Sequence, residues 1–125
     1  MKRIICSSHA PAAIGPYSQA IEINGTLYTS GQIAIDPKTG NLKGNNVTEQ
    51  AQQVFDNIKA ILSEAGYGLE HVVKTTVFIT DMSAFAEMND IYAQVFGDLK
   101  PARSAVEVSA LPKGALVEIE TVCVK

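Results

Sequence analysis

The chain has 125 residues, 46% of them hydrophobic, with 10 Lys and Arg set against 13 Asp and Glu for a formal net charge of −3. That length suits one domain over residues 1–125, the apolar share excludes a disordered chain, and the acidic balance argues against nucleic acid as the main partner. No run is long enough to span a membrane, and Ile4-Ile5 behind Lys2-Arg3 is far too short for a secretion signal, so a soluble, cytoplasmic protein is expected.

Within Met1 to Ser7, Ile4 and Ile5 carry a short first strand. A loop held by Pro11, Gly15 and Pro16 leads to Tyr17, which reads either as an aromatic anchoring that loop or as a wall of a pocket. Ala20 to Ile23 is a strand, and Asn24-Gly25 is the strongest short hairpin signal in the chain. The return strand is predicted over Leu27 to Ile35, interrupted at Ser30-Gly31-Gln32. A glycine there marks either a bulge or a backbone amide that can approach a ligand. A turn at Asp36–Asn41 and a loop through Gly44-Asn45-Asn46 precede a helix from about Thr48 to Ala65. On it Ala51, Val54, Phe55, Ile58, Ile61, Leu62 and Ala65 share one face. Gln50 and Gln53 fall mainly outside that face, and Gly66 suits the left-handed C-terminal cap.

Val72 to Thr80 is β-branched and alternating, a strand. Asp81 or Ser83 can cap a second helix from about Ala84 to Phe96, with Phe85, Met88, Tyr92, Val95 and Phe96 at helical spacing and Asn89 beside that stripe. Pro101 sets an extended start to the next strand. From Arg103 to Val108 the residues alternate: Arg103, Ala105 and Glu107 face one way, Ser104, Val106 and Val108 the other. After a turn at Leu111–Gly114, Leu116 to Val124 is the last strand. Its Glu118 and Glu120 share a face roughly 7 Å apart, opposite Val117, Ile119 and Cys123. Two carboxylates on one strand face require water or a partner, and the nearest guanidinium is Arg103, with Glu107 as its own structural ion-pair partner. Cys6 and Cys123 form no CxxC pair and are expected as free thiols, and His9 and His71 lack zinc-ligand spacing. The order ββ–α–β–α–ββ predicts an α+β fold: a mixed sheet with two helices packed on one face and the other face open for association.

Three separated stretches carry a resemblance. Ala10-Pro11-Ala12-Ala13-Ile14-Gly15-Pro16-Tyr17-Ser18-Gln19-Ala20, Ser30-Gly31-Gln32-Ile33, and Pro101-Ala102-Arg103-Ser104-Ala105-Val106-Glu107-Val108 with Leu111-Pro112 and Val117-Glu118-Ile119-Glu120 resemble the hallmarks of the RidA/YjgF family, the reactive-intermediate enamine/imine deaminases. The likeness runs from about Ala10 to Val124. It implies a chorismate-mutase-like α+β fold assembled as a homotrimer with clefts between subunits. The implied reaction is hydrolysis of imino and enamino acids such as 2-aminoacrylate to 2-keto acids and ammonia, with no metal or organic cofactor. By motif, Arg103 clamps the substrate carboxylate and Glu118 holds the attacking water. Tyr17, Ser30, Gly31, Asn89 and Ala105 border the substrate, and Glu120 ranks below Glu118. Many members carry Cys where this chain has Ala105, which removes any thiol chemistry at that position. Two other readings fit the same residues: a non-catalytic regulatory module binding keto or amino acids, and an RNA-cleaving translation inhibitor. The net charge and the isolated histidines weigh against the second.

Overall fold

The computed structural model describes all 125 residues. Six strands, β1 (Arg3–Ile5), β2 (Ala20–Ile23), β3 (Thr26–Thr29), β4 (Val72–Ile79), β5 (Ala102–Glu107) and β6 (Val117–Val124), form one sheet in the order β1-β2-β3-β6-β4-β5. Only β4 and β5 pair in parallel, because helix α2 (Phe85–Phe96) carries the chain back between them. Helix α1 (Val47–Ala65) links β3 to β4 and packs against α2, β6, β1 and β3. The result is a mixed sheet with two helices on one face, as the pattern predicts.

Local chemistry explains each end. At the β2–β3 hairpin Asn24 and Gly25 both take positive φ, 51° and 78°, the pair of left-handed residues a two-residue turn needs. The Asn46 side chain accepts from Glu49 N and starts α1, and Gly66 at φ 81° closes it. Asp81 accepts from Ser83 N in the turn that leads into α2. The C-terminal end of α1 is held by cations: Arg3 Nη2 donates to Ala65 O at 2.8 Å and Lys125 Nζ to Gly66 O at 2.9 Å.

Strand alternation sorts the sheet into two faces. Val117, Ile119, Thr121 and Cys123 of β6, with Thr75, Val77 and Ile79 of β4, lie buried under the helices. The opposite face is open. On it Ile4, Ile23, Tyr28, Val106 and Val124 are 38% to 62% exposed. Five of the six strands thus place an apolar side chain on this uncovered surface.

Two expectations are corrected. The strand predicted over Leu27 to Ile35 ends at Thr29, since Ser30 and Gly31 leave the ladder. Only Gln32 rejoins, exchanging backbone hydrogen bonds with Ile119 at 2.9 and 3.1 Å. Gln50 and Gln53 are buried rather than outside the helix, as is Asn57. The irregular segment 30–44 lies across α1, and past Gln32 no strand of the sheet donates to its carbonyls, so side chains of α1 do. Asn57 Nδ2 donates to Ile33 O and Ile35 O at 3.2 and 2.9 Å, and Gln53 Nε2 donates to Asn57 Oδ1 at 2.8 Å. Gln50 accepts from Leu116 N and donates to Gly44 O. Cys6 and Cys123 are free, the first exposed and the second buried. No helix is long and apolar enough to cross a membrane.

Candidate active site

Glu118 follows the first residue of β6 and points to the open face, paired in register with Phe78 of β4. Its carboxylate lies over Gly31, where a Cβ would collide with it. This is the physical need for glycine in the Ser-Gly-Gln stretch: close approach, not a left-handed backbone. Glu118 and Gly31 line a cavity of about 100 Å³ with Tyr17, Gln32, Pro112 and Lys113. Burial is the main cause that pushes the Glu118 carboxyl above the ordinary carboxylate range, and the neighbouring Glu120 charge adds to it. A carboxylate poised to hold a proton in a partly apolar cavity can take one from water and return it.

The loop carrying Tyr17 is pinned from behind by Gln19. The Gln19 side chain accepts from Ser7 N at 2.7 Å and donates to Ser7 O and Pro11 O at 3.1 and 2.8 Å. Ser30 reinforces it, with Oγ donating to Ser18 O at 2.6 Å and its amide to Gln19 O at 2.9 Å. The Ser30 proton is thus committed to the backbone. Its role is in the frame of the cavity, whose lining does not include it. Tyr17 is 51% exposed and its ring packs over Gly15, so it serves as loop anchor and cavity wall together.

Arg103 stands elsewhere. It pairs with Thr75 in the β4–β5 ladder and so projects to the helix-covered face, at the outer strand of the sheet. Its Nη1 donates to Asn89 Oδ1 at 2.6 Å, and its Cζ sits 4.6 Å from the Tyr92 ring centroid and 5.2 Å from that of Phe85. A guanidinium only donates, so Asn89 must turn its carbonyl to Arg103 and leave its amide N–H groups as donors beside it. Ala105 lies on the same face two residues on, partly buried against the core.

The structure overturns the predicted ion pairs. Arg103 joins neither Glu118 nor Glu107, and the chain's one ion pair is Arg3–Glu22 at 3.1 Å. Glu107 instead accepts from Met82 N at 2.7 Å, because the turn entering α2 sits over the end of β5. Glu118 and Arg103 lie on opposite faces of one sheet. A single chain therefore brings together Tyr17, Gly31 and Glu118 in one place, and Arg103 and Asn89 in another. Gln19, Phe85, Tyr92 and Lys113 also build these two places, without being singled out for it by the sequence. Gln19 lies within the first family-like stretch, whereas Phe85 and Tyr92 carry the same spacing as core. A separate cavity of about 370 Å³ between the start of α1 and the end of β4, lined by Asn46, Thr48, Asp81 and Glu87 among others, holds none of the predicted site residues.

The fold is that of a small α+β protein whose one sheet carries the Glu118 carboxylate and the Arg103 guanidinium on opposite faces. The chain belongs to the Rid/YjgF/RutC family: the sequence profile described as Endoribonuclease L-PSP matches residues 7–125. A RutC family protein of Pyrococcus horikoshii is 54% identical over 100% of this chain and 99% of its own. A Mus musculus protein named 2-iminobutanoate/2-iminopropanoate deaminase is 46% identical over 100% of this chain and 93% of its own. The crystal structure of a Rid family protein of Yersinia pestis superposes with a TM-score of 0.97 at 55% identity, covering all of both chains.

Proposed function

We propose that the chain hydrolyses 2-imino and enamino acids of the 2-aminoacrylate/2-iminopropanoate class to 2-keto acids and ammonia, in the cytoplasm, as a homotrimer with clefts between subunits. The observation that carries this reading is the Glu118 cavity: a carboxyl held above its usual range, over a glycine, facing an open apolar sheet surface. The deaminase name of the mouse relative supports the same chemistry. Assembly through the open face covers the exposed apolar residues and brings the Arg103 fork of one copy towards the Glu118 cavity of the next.

The steps balance with water alone. Arg103 grips the substrate carboxylate, with the Asn89 amide alongside. An enamine first takes a proton from solvent at C3 to become the iminium. Glu118 accepts a proton from water as the oxygen bonds to C2, and passes that proton to the nitrogen, which becomes an ammonium group on C2. The C2–N bond then breaks, ammonia leaves with the bonding pair, and the remaining hydroxyl proton goes to the freed Glu118 carboxylate and on to solvent, leaving the keto oxygen and replacing the proton taken up at C3. No oxidation state changes hands outside the substrate.

The test is a coupled assay in which a serine/threonine dehydratase generates 2-aminoacrylate with semicarbazide present. Wild-type protein suppresses the semicarbazone signal and speeds pyruvate formation, and Arg103→Ala does not. No effect of wild type on 2-aminoacrylate or on bulkier imines would sink the hydrolase reading and leave a ligand sensor. Gly31→Ala gives a second, local prediction. The new methyl displaces the free end of the Glu118 side chain, which can swing away, so the fold survives while turnover falls on the order of 10²-fold from a misplaced base. Melting curves beside initial rates separate the two effects: equal loss of stability and rate would mean the glycine matters for folding instead.

A further inference from the structure

We propose that Tyr92 is a positioning residue for Arg103: its ring, anchored through its hydroxyl to Thr75, fixes the plane in which the guanidinium meets a carboxylate. An arginine at the outer strand of a sheet ordinarily samples many rotamers, and ordering it has an entropic cost. Here the cost is met in advance by the surroundings. The guanidinium lies 4.6 Å from the Tyr92 centroid, 5.2 Å from that of Phe85, and is tied at one end to Asn89 at 2.6 Å. The Tyr92 ring cannot itself drift. Its hydroxyl shares a 2.7 Å hydrogen bond with Thr75, which is fully buried, and Phe96 and Phe55 pack against it at 4.7 and 5.9 Å. The arrangement runs rigidly from the sheet interior to the exposed fork.

The plane matters because fork-to-fork pairing makes guanidinium and carboxylate coplanar. In a 2-imino acid the carboxylate is conjugated with C=N, so fixing the carboxylate plane fixes the plane of the reacting carbon and hence the face that water meets. This last consequence rests on the deaminase reading. The cradle does not, because it requires only that a planar cation be held between Tyr92, Phe85 and Asn89.

The cradle is therefore a preformed site for a free guanidinium ion once the Arg103 side chain is removed. In Arg103→Ala, millimolar guanidinium chloride is titrated while the Asn89 side-chain amide resonance and 2-aminoacrylate turnover are followed. Saturable binding with partial return of turnover is expected. Adding Tyr92→Phe, which keeps the ring but cuts its tie to Thr75, weakens binding by about threefold, the share of one hydrogen bond in holding the ring. Adding Tyr92→Leu weakens it roughly tenfold, in the range of a partly desolvated cation–π contact. Should the Tyr92→Leu chain fail to fold, Phe85→Leu at the more exposed ring gives the same comparison. Equal guanidinium affinity with and without the rings overturns the proposal, since a purely structural tyrosine would leave it unmoved. Ring-dependent binding with no turnover even in wild type supports the cradle and removes the deaminase reading instead.

Discussion

Replacing Glu118 by Gln lowers kcat by about 10²–10⁴-fold, the usual contribution of a general base, and at the same time raises the melting temperature at neutral pH. The two effects share one cause. Burial, and after it the Glu120 charge, hold the Glu118 carboxyl above its ordinary value of 4.5. A carboxyl with a raised pKa binds its proton more tightly in the folded chain than in the unfolded one. Its stabilising contribution is therefore complete below the unfolded value and is lost as pH rises through the folded value. Above that window the ionised group is a burden on the fold, kept for its chemistry. Gln has nearly the same shape and no charge, so the variant gains stability at pH 7 and loses that gain as the solution is acidified through the raised folded value, with little of it left below the ordinary value of 4.5. Thermal melts at several pH values check the sign, and initial rates check the chemistry. A Gln variant that melts below wild type at pH 7 would show that partners stabilise the ionised Glu118, and burial would no longer explain its raised pKa.

Much of this arrangement was legible in the residues, and the failures have physical reasons. Helix α1 announces itself by its 3.6-residue period and by Gly66 at its C-terminal cap, whereas Asn46, which reads only as loop, turns out to cap its start. The hairpin at Asn24-Gly25 follows from turn chemistry, and the two faces of β6 follow from alternation. The strand expected over Leu27 to Ile35 stops at Thr29 because Ser30-Gly31, which read as an interruption of the strand, ends the ladder and only Gln32 rejoins it. The carbonyls that follow turn to Asn57, and Gln53 and Gln50 are buried with it. Periodicity places amides outside a helix and has no knowledge of a loop lying across it. The pairing of Arg103 with a carboxylate failed for a different reason. Parity assigns faces within a strand, but it cannot relate β5 to β6, whose order in the sheet places β4 between them and Arg103 under α2. Phe85 and Tyr92 read as core and serve as core; that they also hold Arg103 depends on tertiary packing.

That opposite-face geometry predicts the outcome of mixing two dead proteins. Arg103→Ala removes the proposed carboxylate clamp and Glu118→Gln the proposed base, so each variant alone is expected to have little activity. Unfolded together, mixed in equal amounts and refolded, they regain about a quarter of the wild-type sites, the share in which both donors are intact when chains combine at random in a ring of heterologous interfaces. Each recovered site takes its fork from a chain with the Glu118 lesion and its carboxylate from a chain with the Arg103 lesion. Neither parent, refolded alone, gains anything. If each site were built within one chain, every chain would keep its own lesion and the mixture would never exceed the average of its parents. That alternative asks Arg103 to leave Asn89 and the two aromatic rings and reach through a sheet whose centre is fully buried at Thr75 and Val77. Close packing leaves no path for a guanidinium there. A second copy laid on the open face, where Ile4, Tyr28 and Val124 stand exposed, needs no such passage and buries apolar surface as it forms.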